Sequence, residues 1–521
     1  MHLTQGLRRC VERRRDELAL VFGQQKISWE QFETRVAKLA GGLRDLGLQP
    51  GDRVAMLAHN CPEYFEFNYG VLWAGGAIVP LNNKLPPDQL AYILDHSQTR
   101  FLIADEEFRS VIEGFLGKTS SLEQVIYFSS TSALELNKQV KVEAVKNISY
   151  EDLLGNANPL EDQLRGYEDM AGIFYTSGTT GTPKGVVLSH RNLVWNSMGG
   201  MLNTDLDEGT VYLHATPLFH AAGSARIFTM ISAGATNIIL PKFDVISVLA
   251  AIERYQVTSL LLVPTMIVRL VNEAKFDAYD LSHLRSIAYG ASSMPQAALA
   301  EVLKKLPHVS FTQAYGMTEL SPSATFLESR YHVLEGPDAG RLLSCGRATW
   351  GADVRIVNEQ REVLSAGEVG EISVRGPMVM QGYWRNPEAT AETIKDGWLH
   401  TGDAGYKDAE GFIYIVDRIK DMVITGGVNV ASVEVENCIY QLGEVAECAV
   451  FGIPHPDWIE AVHAVVVLKE NSACTESQII AHCKNHLGVY KSPRSVEIRE
   501  QALPVSGTGK IMKNELRKNY L

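Results

Sequence analysis

Tyr175-Thr-Ser-Gly-Thr-Thr-Gly-Thr-Pro-Lys-Gly185 sets five Ser and Thr hydroxyls, three glycines and one lysine in eleven consecutive residues. Glycines let backbone N–H groups turn toward an anion, hydroxyls add donors and Lys184 adds a point charge, which is the chemistry of a phosphate-gripping loop. The P-loop spacing Gly-x4-Gly-Lys-[Ser/Thr] is absent, because Pro183 stands where its second glycine would fall. A Gly/Ser/Thr cluster can also be a plain polar surface loop. The flanks argue against that here: Phe174-Tyr175 reads as a strand end, and the apolar run Gly185-Val-Val-Leu-Ser189 follows the loop directly.

The chain on either side alternates helix and strand. Ser28 with Gln31 forms a capping-box pattern, and Phe32, Val36, Leu39, Leu43 and Leu46 recur at helical spacing until Gly47 and Pro50-Gly51 stop them. Arg53–Ala58, Ala77–Pro80, Phe101–Asp105 and Gln124–Phe128 are short apolar strand candidates. Val211–Pro217, Thr236–Leu240, Thr258–Pro264, Ser286–Gly290 and Val309–Gly316 form a second series. Buried strands spaced by helices predict parallel sheets. Asp353–Val357, Glu368–Gly376 and Gly411–Arg418 instead have Gly-rich turns and little helix between them, predicting a small antiparallel unit. Beyond Asp421 the order is helix (Ser432–Tyr440), strand (Ala446–Gly452), strand (Ala461–Leu468), helix (Glu476–Leu487) and strand (Ser495–Arg499), a compact α+β domain. The predicted fold is therefore α/β. Residues 1–420 form a large domain of two stacked α/β subdomains plus a β-rich subdomain, and residues 421–521 form a small C-terminal domain.

Composition narrows the function classes. With 521 residues, 45% hydrophobic and 21% charged, the chain is neither disordered, collagen-like nor coiled coil, and it is long enough to need no disulfide or metal staple. A net charge of −13 with no concentrated Lys/Arg stretch argues against a nucleic-acid partner. The seven cysteines (10, 61, 345, 438, 448, 474, 483) are scattered without a CxxC pair, so neither a zinc site nor a disulfide framework is predicted and a reducing compartment is the simplest reading. The N-terminus lacks the apolar core of a signal peptide, and the longest apolar run, Ile227–Leu240, is broken by Thr229, Ser232, Thr236 and Asn237. The expectation is a cytoplasmic protein without stable membrane insertion.

The loop is one of a series of segments: Pro217-Leu-Phe-His220, Tyr289-Gly-Ala-Ser292, Gln313-Ala-Tyr-Gly-Met-Thr-Glu319, His400-Thr-Gly-Asp403, Asp417-Arg-Ile-Lys-Asp421, Gly426-Gly427 and Gly507-Thr-Gly-Lys510. In this order, covering essentially the whole chain, they resemble the adenylate-forming superfamily of acyl-CoA synthetases, luciferases and adenylation domains, with bacterial fatty acyl-CoA synthetases as the nearest likeness. The resemblance implies a two-step ligase using ATP, Mg²⁺ and coenzyme A: a carboxylate and ATP give acyl-AMP, and a thiol then displaces AMP. The first step brings a carboxylate onto a polyanion, so the site must supply positive potential.

Residue by residue, the likeness implies that Lys510 bridges the carboxylate and the α-phosphate, with Thr318 and Glu319 as further catalytic residues and Glu319 as the Mg²⁺-associated carboxylate. Thr176, Ser177, Gly178, Thr179, Thr180 and Lys184 match the phosphate grip. Gly290, Ala291, Ser292, Ala314, Tyr315, Gly316 and Met317 match the adenine slot, with Tyr315 offering a flat face and the small residues leaving room for a base. Asp403 and Arg418 match the ribose-holding pair, since one carboxylate can accept from two vicinal hydroxyls. His220, Ala221, Gly223 and Ser224 belong to the acyl pocket. His220 is read as lining, because a carboxylate needs no base at neutral pH, and His190 as a helix-start residue. In the family the C-terminal domain swings between the two steps, which makes Lys420 the hinge.

Gly426, Gly427 and Val428 fall in the loop that serves the thioester step. There the common Gly-Gly-Glu-Asn-Val-Tyr reads Gly426-Gly-Val-Asn-Val-Ala431, and the usual Trp-Gly-Glu reads Trp458-Ile-Glu460. A β-branched residue adopts positive φ with difficulty, so adenylation is expected intact and thioesterification less secure. The small run Ala221–Ala225 suggests an open channel and a medium or long fatty acid, ahead of an aryl or aryl-propenoic acid and then a dicarboxylate; Arg226 is the one fixed charge that could meet a second carboxylate, but it is read as a helix-face residue pointing elsewhere. The partners expected are that small carboxylic acid, ATP and coenzyme A, a carrier-protein thiol being the alternative acceptor; a non-catalytic acyl or nucleotide binder that kept the fold is the remaining alternative, which Lys510 and Glu319 speak against and Val428, Ala431 and Ile459 keep alive, and a homodimer is left open.

Overall fold

The computed structural model describes residues 2–130, 145–176, 182–292, 294–469, 472–505 and 511–520. Its first sheet has eight strands, in the order Gly382–Tyr383, Lys184–Ser189, Met170–Thr176, Ala77–Pro80, Arg53–Leu57, Thr99–Asp105, Gln124–Phe128 and Lys146–Ser149. The pairs from Met170–Thr176 onward are parallel. Met170–Thr176 and Lys184–Ser189 form an antiparallel hairpin in which Thr176 faces Lys184. That hairpin brings both ends of the 177–181 segment together, one strand in from the sheet edge that Gly382–Tyr383 forms.

The second sheet has nine strands, with Ser310–Tyr315, Ser286–Gly290, Ser259–Leu262, Val211–His214 and Thr236–Ile239 as its parallel centre. The predicted strands recur with trimmed ends. An unpredicted hairpin, Leu18–Phe22 with Gln25–Ser28, extends one edge, and Leu18–Phe22 runs parallel to Thr236–Ile239. The third sheet has five antiparallel strands built around Gly370–Arg375 and Trp398–Lys407. The little helix there is Pro387–Thr393, where Asn386 accepts from the Ala389 N–H and proline occupies the first turn.

The three sheets share one hydrophobic core. Helices Trp29–Asp45, Pro62–Trp73, His190–Asn203 and Ala221–Ala233 contribute Phe32, Val36, Phe65, Leu193, Ile227 and Phe228 to it. Val54 and Phe101 enter from the first sheet, Leu20 and Ile239 from the second, and Ile372 and Leu399 from the third. Each such large side chain taken fully out of water contributes about 1.5–3 kcal/mol. The Ser28–Gln31 capping box forms in both directions, as its sequence predicts.

The fourth sheet, with strands Val423–Thr425, Val428–Val430, Val445–His455, Ile459–Leu468 and Ser495–Arg499, packs on helices Ser432–Ile439 and Glu476–Leu487. Its apolar clusters draw only on residues beyond 420. Among the described residues, no helix is long and apolar enough to cross a membrane.

Candidate active site

Two adjacent parallel strands of the second sheet, Ser286–Gly290 and Ser310–Tyr315, end side by side with Gly290 opposite Ala314. Ligands of open α/β sheets bind off such carboxyl ends. Tyr315 Oη donates to Asp403 Oδ2 at 2.8 Å, and Arg418 Nε lies 3.0 Å from Asp403 Oδ1. Asp403 and Arg418 face each other across paired strands of the third sheet, so the backbone register fixes their approach. Burial first, and then the Asp403 charge, pushes the Tyr315 hydroxyl well above its usual range, which keeps it protonated as a donor.

Two of the small residues here answer to backbone packing. A Cβ at Gly290 would sit 2.3 Å from the Ala314 carbonyl oxygen, and one at Gly316 would sit 2.1 Å from that of Pro322. Backbone proximity excludes side chains at both positions. Ala291 holds a left-handed φ of +70°, a strained conformation for a residue with a Cβ. Ser292 follows it, and Met317 leads into the 3₁₀ turn Thr318–Leu320, where Thr318 is half-buried.

That turn supports a second cluster. Tyr383 Oη donates to Glu319 Oε1 at 2.8 Å, and Lys184 Nζ lies 5.0 Å from the centre of the Tyr383 ring. The strand Gly382–Tyr383 pairs with Lys184–Ser189, and Met380 N–H donates to the Glu319 carbonyl at 2.9 Å. Burial pushes the Glu319 carboxyl up, against the pull of the Tyr383 hydroxyl, Arg418 and Lys184. Arg418 thus lies within electrostatic reach of both carboxylates and joins the clusters. Tyr383 was missed by the sequence reading, although Gln381-Gly-Tyr-Trp384 resumes after a Gly-Pro turn and offers an aromatic signal.

Ser177, Gly178, Thr179, Thr180 and Lys510 lie outside the described residues, while Thr176 ends its strand opposite Lys184. Val505 and Ile511, on either side of 506–510, pair as an antiparallel bridge. Lys420 is exposed in the 3₁₀ turn Ile419–Asp421. Beside it, Asp417 Oδ2 accepts from Ser432 Oγ at 2.6 Å, and Lys513 Nζ donates to the same Oγ at 2.6 Å while pairing with Glu436 at 2.7 Å. Gly426 and Gly427, with φ of +58° and +80°, form the two-residue turn between Thr425 and Val428; such a turn requires residues at ease with positive φ. Val428 is exposed. The expectation that Ile459 resists positive φ meets a φ of +70° on a residue 68% exposed.

His220 precedes helix Ala221–Ala233, with its ring 4.3 Å from that of Phe219. Ala221 is buried. A Cβ at Gly223 would meet the Pro217 carbonyl oxygen at 2.3 Å, and Ser224 Oγ donates to the Leu218 carbonyl at 2.8 Å. Both residues are therefore committed to the turn into the helix. Arg226 is 92% buried within reach of Tyr212 and a neutral His214, and no described carboxylate pairs with it. His190 opens its helix as expected, under a Ser189–Asn192 capping box.

The fold and these converging groups define an enzyme that activates an acid with a nucleotide. The AMP-binding enzyme family model matches residues 7–384, and the AMP-binding enzyme C-terminal domain model matches residues 434–510. The chain is 37% identical over 504 residues to the feruloyl-CoA synthase of an Amycolatopsis species, covering 96% of each, and 33% identical over 524 residues to the long-chain-fatty-acid–CoA ligase of Bacillus subtilis, covering 96% and 91%. It superposes on ATP-bound MatB of Rhodopseudomonas palustris with a TM-score of 0.87 at 30% identity, over 100% of this chain and 99% of that one.

The chain belongs to the AMP-binding enzyme family of the adenylate-forming superfamily. It is an acid–CoA ligase of the AMP-forming type, with ATP, Mg²⁺ and coenzyme A as its co-reactants. The donor set is compatible with magnesium: Glu319 presents a hard carboxylate oxygen, hydrogen-bonded by Tyr383, and Mg²⁺ sites take one or two carboxylates together with substrate phosphates.

Proposed function

We propose that Asp403 and Arg418 hold the ribose, that Tyr315 and the backbone after Gly290 form the base slot, and that Lys184 and the 176–181 segment grip the phosphates. The observation that supports this most is the convergence of two clusters from three sheets on Arg418. Glu319, steadied by Tyr383, would hold Mg²⁺, which supplies charge neutralisation on the phosphates. In the first step the acid carboxylate attacks the α-phosphorus and pyrophosphate leaves, with Lys510 offsetting the charge between the two anions. In the second, a coenzyme A thiolate attacks the acyl carbonyl and AMP leaves.

We read the acid as an aryl-propenoic acid carrying a polar ring substituent. Two observations shift the reading from a fatty acid. Gly223 and Ser224 are spent on local packing, so the small run Ala221–Ala225 does not of itself make a channel. Arg226, buried on that same helix with no carboxylate ion-paired to it among the described residues, is a donor that an acceptor oxygen on the acid would engage. The feruloyl-CoA synthase relative fits this class.

The test is mass spectrometry of reactions with ATP, Mg²⁺, coenzyme A and a panel of hydroxylated aryl-propenoic, fatty and dicarboxylic acids, run on the wild type and on Arg226→Met. Aryl-propenoyl-CoA, with a raised KM for the hydroxylated acids in Arg226→Met, is the expected result. Preferential fatty acyl-CoA formation by the wild type would overturn the acid class. Acyl-AMP accumulating without acyl-CoA would point to a carrier-protein thiol as the acceptor.

A further inference from the structure

We infer that the small C-terminal domain carries a metal site for a divalent cation of the zinc type, built from Cys438, His482 and His486. One ligand atom from each of these residues lies within 4.8 Å of the others. Tetrahedral zinc with one sulfur and two nitrogens sets its ligand atoms about 3.3–3.6 Å apart, so modest side-chain rotation closes the site. His482 and His486 stand one turn apart on helix Glu476–Leu487, with ring centres 4.2 Å apart, and share one face of it. Cys438 comes from the neighbouring helix, Ser432–Ile439.

One nitrogen of each imidazole is already engaged. His482 Nε2 lies 3.1 Å from the Cys438 carbonyl oxygen, and His486 Nδ1 lies 2.9 Å from that of His482. A carbonyl only accepts, so those nitrogens carry the protons and the other nitrogen of each ring keeps its lone pair. Backbone carbonyls fix the tautomer of metal-binding histidines in the same way. Cys438 is buried while His486 is exposed, so the site opens to solvent on the histidine side and a water can complete the tetrahedron. Binding displaces the Cys438 thiol proton and forms a thiolate–metal bond without any change of oxidation state. Nothing here uses a CxxC pair, which is why cysteine spacing gave no hint. The cation would tie helix Glu476–Leu487 to the helix whose first residue, Ser432, holds Asp417.

The experiment is a Co²⁺ titration of the reduced, chelator-treated full chain, followed by zinc competition. The expected result is one tightly held ion with a thiolate-to-cobalt charge-transfer band. That band should vanish in Cys438→Ser, and His486→Ala should weaken affinity by about tenfold or more with an unchanged circular dichroism spectrum. His486 is exposed, so its variant stays informative if Cys438→Ser folds poorly. A cobalt spectrum without a thiolate band, or equal affinity in His486→Ala, would overturn the site.

Discussion

Glu319 is a carboxyl held where burial opposes its charged form. Its carboxyl is 95% buried, and desolvation outweighs the Tyr383 hydroxyl and the nearby cations, so its pKa in the fold lies above the unfolded value. A carboxyl raised in this way favours folding below its unfolded pKa and loses that contribution as pH rises through the folded value. Glu319→Gln should therefore raise the thermal midpoint of the ligand-free protein at neutral pH, with the gain shrinking as pH falls through the carboxylate range. The same variant should lose at least about tenfold in adenylate formation, the usual stability–activity trade-off. A midpoint gain that is flat with pH would disprove the electrostatic account. Ile459 is strained instead by its backbone: left-handed φ costs a residue with a Cβ about 1–2 kcal/mol, and side-chain branching adds to it. Ile459→Gly should stabilise the C-terminal domain by up to about 1 kcal/mol after glycine's entropy is counted, read from denaturant midpoints; destabilisation would mean that the exposed side chain makes a contact worth more than the strain. This tension was legible in Trp458-Ile-Glu460, because φ preference is a property of the residue. The closeness of the Ala314 carbonyl to Gly290 was not, because it is set by two strands meeting.

Elements were legible where a local rule forms them. The Ser28–Gln31 box, the strands flanking residues 177–181 and the helix Glu476–Leu487 follow from capping, apolar runs and periodicity. The hairpin Leu18–Phe22 with Gln25–Ser28 did not show, since its pairing with Thr236–Ile239 joins segments more than 200 residues apart. The join between strand Ile413–Arg418 and helix Ser432–Ile439 is equally non-local. Ala431 offers that helix no side-chain cap, yet Ser432 is held from one side by Asp417 and from the other by Lys513. Ser432→Ala would leave Asp417, 3% exposed, and the Lys513 ammonium each short of a partner, a loss of about 1–3 kcal/mol for such buried groups. The expected outcome is faster amide exchange in Ser432–Ile439 with little change in the core helix Trp29–Asp45. Equal protection in both proteins would remove the network from its role in fixing this helix.

The molecule as a whole divides where its apolar clusters divide. One apolar cluster joins the first three sheets and further clusters lie within residues 21–342 and 55–173, whereas among the described residues no apolar cluster crosses residue 420 and the fourth sheet encloses clusters of its own. We therefore propose the domain boundary at residue 420, in the exposed turn Ile419–Asp421. Polar links such as Asp417 to Ser432 cross it, and links of this kind can exchange partners during a swing more readily than a shared apolar core can. Limited trypsin digestion should then cut first after Lys420, yielding a fragment ending there and one beginning at Asp421. A nucleotide bridging both sides should slow the cut. Ser432→Ala should accelerate it, because opening precedes cleavage and the variant opens more often. First cuts inside the large domain, or a rate indifferent both to ATP and to Ser432→Ala, would mean that the segment after Arg418 does not govern how the two units separate.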